Sequence, residues 1–169
     1  FISGLDESAY ELEDRWILSA LNRTIQSVNT ALSSYAFDTA TTLAYDFFWK
    51  EFCAYYLEIA KPVLFGKAGS TANRKNKQKL LVILLCQSIR MLHPITPFIT
   101  EELFQLLKAR LPIQEFSENI DPYTKEACIA LKSPAAIVDP YPQVINPNDQ
   151  NPKIDASFEL ISELVYSIR

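Results

Sequence analysis

A chain of 169 residues, 49% of them hydrophobic, 21% charged and only 3 of them glycine, can bury a substantial core and has the profile of one compact, helix-rich soluble domain. Its net charge of −4, taken alone, argues against a nucleic-acid partner, and its longest apolar run, LLVILLC (80–86), falls well short of the roughly 20 residues that span a membrane. Three cysteines (Cys53, Cys86 and Cys128), odd in number and without metal-type spacing, read as reduced thiols of a cytoplasmic protein.

The opening Phe1–Ile2 leads straight into the acidic stretch Asp6 to Asp14, with no secretory signal. The start without Met and the stop at Arg169 inside an apolar-periodic segment read as a piece of a longer chain. A first helix runs from about Glu13 to Ser34, with Leu18, Leu21, Ile25, Val28 and Leu32 forming a stripe that faces a partner helix. After a turn at Tyr35–Phe37, Asp38 can cap a second helix that continues to about Ala60, before Pro62.

GKAGST (66–71) is a loop, and a third helix from about Asn73 carries Leu80, Leu81, Leu84, Leu85, Ile89 and Leu92 and stops before His93–Pro94. Thr96 and Pro97 read as N-cap and first residue of a fourth helix, with Glu101 and Glu102 near its positive end, which finishes before Pro112. Seven of the ten prolines lie between Pro112 and Pro152, so long regular elements are not expected there. A short helix around Tyr123–Leu131 and a short strand around Ala135–Val138 fit that stretch. A last helix begins near Asp155, where Ile154, Phe158, Ile161, Val165 and Ile168 recur at helical spacing. The expected fold is all-α: a single domain over 1–169, a bundle of about five helices (core 13–110 plus 154–169), with an irregular excursion over 111–153.

Catalytic patterns are missing. The single histidine, His93, reads as a helix-end residue; there is no Glu-x-x-His pair for a di-iron site, and GKAGS (66–70) lacks Walker spacing. No Ser or Cys stands beside a base in a nucleophile pattern, so no catalytic, cofactor-binding or metal-binding residue is assigned and the chain is not expected to be catalytic alone. Charge placement is more telling. From Ile59 to Thr100 there is no Asp or Glu, while Lys61, Lys67, Arg74, Lys75, Lys77, Lys79 and Arg90 give +7 against −4 for the whole, leaving −11 elsewhere. Such asymmetry suits a basic surface able to neutralise phosphates, or else a solvated loop beside an apolar helix.

FFWKEFCAYYLEIAKP (47–62) holds six of the twenty aromatic residues. On a wheel of about 100° per residue, Phe47, Phe48, Trp49, Phe52, Tyr55 and Tyr56 join an apolar arc of roughly 200°. Trp16, Trp49, Phe48 and Phe52 are accordingly expected in the core. Glu51 and Glu58 fall at one edge inside that arc, and Leu57 on the opposite side between Lys50 and Lys61. A carboxylate among apolar groups needs a partner, and a lone Leu beside lysines offers an apolar contact for a base; equally, Leu57 can pack under a loop and Glu58 bond a neighbouring helix.

The blocks DRWILSALNRTIQSVN (14–29), YAFDTATTLAYDFFWKEFCAYYLEIAKP (35–62), IRMLHPITPFITEELFQLL (89–107) and FELISELVYSIR (158–169) resemble the anticodon-binding domain of valyl-tRNA synthetases, over nearly the whole chain except 66–73 and 111–153. HPxxPFITEEL is shared among related class I synthetases; FFWxEFCxxYLExxKP is the more specific sign. The resemblance implies a tRNA-binding module of an enzyme that joins valine to its tRNA using ATP with Mg, whose HIGH and KMSKS motifs are not in this chain. It implies that Leu57 and Glu58 meet anticodon bases. With the charge pattern, it points to Lys61 and some of Arg74, Lys75, Lys77 and Lys79 for the RNA backbone. Other domains of the same synthetase are the further expected partners; no membrane is expected, and the chain is taken as a monomer without a cofactor of its own. Two departures, Phe104 where the family usually has Trp and Ala54–Tyr55 where it often has Asp-Trp, look like packing changes. A helix upstream of this chain also contributes to the family's anticodon pocket. The alternatives are a helical protein-interaction scaffold and the same module from an isoleucyl- or leucyl-tRNA synthetase.

Overall fold

The computed structural model describes residues 3–111 and 119–168, and shows an all-α bundle with no strand among them. Helix α1 (Leu12–Ser33) opens with a capping box between Glu11 and Asp14, and places Ile17, Leu18, Leu21, Ile25 and Val28 in the core. Tyr35, at φ 60°, turns the chain, and α2 (Phe37–Asp46) packs back along α1. Its N-cap is Ala36, not Asp38, which lies in the first turn near the helix's positive end.

From Asp46 the helix runs without a break through a π-helical segment (Phe47–Tyr56) into α3 (Leu57–Leu64), so Pro62 lies inside helix instead of ending it. After a glycine-bearing loop, Ser70 caps α4 (Thr71–Leu92) with Asn73 completing the box. Thr96 and Pro97 start α5 (Pro97–Arg110) as the sequence suggests. Asp121 caps α6 (Pro122–Ala130), and α7 (Pro152–Ile168) closes the bundle against α1, its Phe158 ring stacked on Trp16 with centroids 4.2 Å apart. Pro112 and the side chains of Val165 and Ile168, used in the sequence reading, lie outside the described residues.

The strand expected at Ala135–Val138 is instead a 3-10 turn (Ala136–Val138). No strand among the described residues could pair with it, and the Ala136 N–H donates to Glu101 Oε2 (2.9 Å). Side chains hold residues 140–146 the same way. Asn22 Oδ1 accepts from the Ile145 and Asn146 amides (2.9 and 3.1 Å), Asn29 donates to the Pro142 carbonyl (2.9 Å), and the Tyr141 hydroxyl donates to the Met91 carbonyl (3.0 Å). Arg90, buried in α4, donates to the Pro140 carbonyl (2.8 Å) and Glu126 (3.0 Å), and its Nε is in ion-pair contact with buried Asp139, though not aligned as a hydrogen bond.

The interior therefore holds protonated groups that burial keeps from ionising. Burial pushes the Cys86 thiol from 9.0 up to about 12 and the Tyr56 phenol well above 10.0. At Lys77 burial works against the charge, but the hydrogen bonds its ammonium donates to Glu13 and Asp14 outweigh it and the pKa is raised above 10.5. All three folded-state values are raised, so the unfolded chain releases these protons first. The stability they contribute is whole below about pH 9 and is lost as pH climbs toward about 12. Urea midpoints measured across that range should fall steadily from about pH 9 upward, with no comparable fall between pH 7 and 8.5.

Candidate nucleic-acid interface

The aromatic stretch shows why its helix changes type. Ala40, Ala44, Phe47, Phe52, Tyr56, Ala60 and Val63 are the buried residues of the continuous helix. Their spacing is 4, 3, 5, 4, 4 and 3. Phe47 and Phe52 would stand about 140° apart on an α-helix. A wider turn with five-residue bonding brings both inward, at 1% and 6% exposure. The Leu57 N–H accordingly donates to the Phe52 carbonyl, five residues back.

That insertion shifts every side chain after it relative to a uniform wheel. Trp49, expected in the core, is 56% exposed and lies parallel to exposed Tyr45 with centroids 6.4 Å apart. Phe52 and Trp16 are buried as expected, and Phe48 packs partly buried against the core. Glu58, expected inside the apolar arc, points away from the core, and its exposed carboxylate pairs with exposed Lys61. Leu57, expected on the open side, is half-buried at the first position of α3. The two residues thus lie side by side where the π-helical segment passes into α3, with Glu58 facing out and Leu57 at its flank. A surface pair such as Glu58–Lys61 contributes about 0–1 kcal/mol, so both groups are available to another partner.

Glu51 belongs to a different place. Its Oε1 accepts from Arg23 Nη2 (3.1 Å), and the same guanidinium binds Asp155 on α7. Burial pushes the Glu51 pKa up, with Arg23 opposing. This bridge floors a groove of about 710 Å³ walled by Trp16, Trp49, Tyr55 and Phe158. Glu51 therefore does not orient Glu58 directly.

The expected basic residues divide sharply. Lys61, Lys67 and Lys75 are exposed at the α3–α4 junction, and neither Lys67 nor Lys75 has an ion pair among the described residues. Arg74 folds back so that its Nε donates to the Val63 carbonyl (3.3 Å), lying so close over Gly66 that a Cβ there would come within 1.8 Å of it. Gly66, at φ 72°, is required for its backbone, whereas the Arg74 guanidinium above it is the end of a flexible side chain that can swing aside. Lys79 is tied to the N-terminal segment through the Gly4 carbonyl and Ser3 Oγ.

Lys77 corrects the sequence reading. It is completely buried, with its ammonium 2.9, 2.8 and 2.9 Å from Glu11, Glu13 and Asp14, and has no charge to offer a phosphate. Arg90 is likewise interior. The basic surface is therefore smaller than the +7 of the sequence, and is concentrated in Lys61 on α3, Lys67 in the loop after it, and Arg74 and Lys75 at the start of α4.

A family model described as the anticodon-binding domain of tRNA ligase matches residues 14–169. The chain belongs to this family. This anticodon-binding domain is 60% identical over its whole length to the valine–tRNA ligase of Protochlamydia amoebophila, of which it covers 18%. It is 43% identical, over 99% of its length, to the valine–tRNA ligase of Chlamydia caviae, again covering 18% of that protein, and 41% identical over 98% to that of Chlamydia felis. The domain thus spans less than a fifth of the length of the curated relatives it matches. No described helix is long and apolar enough to cross a membrane, and no described group of His, Cys, Asp and Glu is arranged to hold a metal ion. Phe104 is completely buried in the core.

Proposed function

We propose that this domain reads the anticodon of a valine tRNA as part of a valine–tRNA ligase. The observation that carries the reading is the full-length 60% identity to such a ligase, and the Leu57–Glu58 pair gives it a physical form. Glu58 presents an acceptor-only carboxylate beside the apolar edge of Leu57, inside a continuous helix, with Lys61 bonded to it and Lys67, Arg74 and Lys75 on the loop and helix that follow. A carboxylate accepts from the amino groups of cytosine and adenine, both present in a valine anticodon, and the bases of a loop expose those edges. The cations meet the phosphates on either side. The ATP and Mg of the reaction belong, on this reading, to a catalytic part of the ligase, acting in the cytoplasm where the free Cys53, Cys86 and Cys128 stay reduced.

A titration of a labelled valine anticodon stem-loop beside one with a scrambled anticodon tests it. The valine loop should bind tighter, and Leu57→Ala or Glu58→Ala should remove most of that advantage, about 1–3 kcal/mol. Both loops should weaken with salt, by a slope of about −0.7 per phosphate neutralised. Equal binding of both loops, abolished by salt, would reduce the domain to phosphate contacts. Preference for an isoleucine or leucine loop would move it to a sister enzyme, and a salt-insensitive protein partner would favour the scaffold reading.

A further inference from the structure

We infer that the buried Asp14–Tyr56–Lys77 cluster is a positioning device that fixes the rotation of α3 and so aims Leu57 and Glu58 outward. The inference rests on the base-contact role just proposed for those two residues. Tyr56 is the last residue of the π-helical segment and directly precedes them. It is completely buried, and its hydroxyl donates to Asp14 Oδ1 (2.7 Å). The same oxygen accepts from the Lys77 ammonium (2.9 Å), and Asp14 Oδ2 accepts from the Glu11 amide (2.9 Å). Lys77 in turn spends its three donors on Glu11, Glu13 and Asp14, and sits 5.8 Å from the centre of the Tyr56 ring. Three elements, the start of α1, α4 and the end of the π segment, meet at one carboxylate.

Stability alone does not account for such a cluster. Buried ion groups are often replaceable by apolar side chains at no loss, and their better-attested use is to select one register among several. A register choice exists here. A π insertion can stand at more than one position along a helix, and moving it by one residue turns the intervening side chains by about 100°. The apolar neighbours Phe52, Tyr55 and Tyr56 discriminate weakly between such registers by burial alone. The phenol discriminates strongly: only one rotation of the helix brings the Tyr56 hydroxyl to Asp14. With that bond made, the insertion lies wholly before Leu57, the buried side of α3 is set by Ala60 and Val63, and Glu58 faces away from both. Glu51, bonded to Arg23, steadies the same segment from its other side.

Tyr56→Phe tests the device, because it removes one oxygen and keeps the ring. In the full chain, titrated with valine and scrambled stem-loops at a temperature where melting shows it folded, the ratio of the two affinities should fall about fivefold, the net weight of one ordinary hydrogen bond. Affinity for the scrambled loop and the salt slope should stay within about twofold of the unsubstituted chain, which a general loosening would not allow. The inference is overturned if Tyr56→Phe keeps the full ratio while Glu58→Ala loses it. It is also overturned if Tyr56→Phe weakens both loops equally. A Glu58→Ala chain that keeps the ratio removes the base-contact reading itself, a separate and distinguishable result.

Discussion

Lys77→Met should lower the stability of the domain by about 3–5 kcal/mol, seen as an earlier urea midpoint at unchanged slope. Glu11, Glu13 and Asp14 all bond the Lys77 ammonium, and Asp14 is 1% exposed. Methionine fills much the same volume but leaves three carboxylates facing one another, with Asp14 closed to water while Glu11 and Glu13 stay partly exposed. That loss is a large part of the roughly 5–15 kcal/mol by which a folded domain is stable. Lys75→Met, two residues earlier on the exposed face of the same helix, should change stability by no more than about 0.5 kcal/mol and instead weaken RNA binding and flatten its salt dependence. The pair separates two uses of lysine that are indistinguishable by residue type. An unaltered midpoint for Lys77→Met would show that the carboxylates find water or protons at little cost.

Arg90→Met should cost about as much, about 3–5 kcal/mol, with a different local signature. Arg90 joins α4 to three points of the far segment: Glu126 on α6, the Pro140 carbonyl and Asp139, itself 1% exposed at its side chain. Without the guanidinium, Asp139 is a buried charge with only the Ser133 hydroxyl bonded to it among the described residues, and the segment from Ser133 to Asn146 loses its main tie to the bundle. Limited proteolysis should therefore cut within that segment well before the helical core opens globally. Cleavage no faster than in the unsubstituted chain would assign the hold to Asn22 and Asn29 instead.

Much of the bundle was legible because long apolar stripes repeat at helical spacing and prolines punctuate them. α1, α4, α5, α6 and α7 fall within a few residues of where those signals put them. The aromatic helix was misjudged for one reason. A wheel assumes a constant turn, whereas the buried set Phe47, Phe52 and Tyr56 requires one five-residue step. The step can be found in the sequence as a break in an otherwise 3-and-4 spaced stripe, from Ala44 and Phe47 to Tyr56 and Ala60. Missing it sent Trp49 to the core, and Glu58 and Leu57 to each other's places. The strand at Ala135–Val138 failed differently: its residues suit a strand, but a strand needs a neighbour, which local composition does not report.

Family, helix content and the Tyr56–Leu57–Glu58 motif are properties of the order of residues, since side-chain pattern and covalent geometry carry them. Three outcomes were decided only by the tertiary structure. Lys77 and Arg90 sit inside while Lys67 and Lys75 face solvent, Asn22, Asn29 and Arg90 fasten the proline-rich excursion, and the rotation of α3 turns Glu58 outward. The reason is common to all three. Each depends on a partner far along the chain, Asp14 for Lys77 and Tyr56, Asp139 for Arg90, Ile145 for Asn22. A charge or a hydrogen-bonding group stays inside only where its partner is brought to meet it.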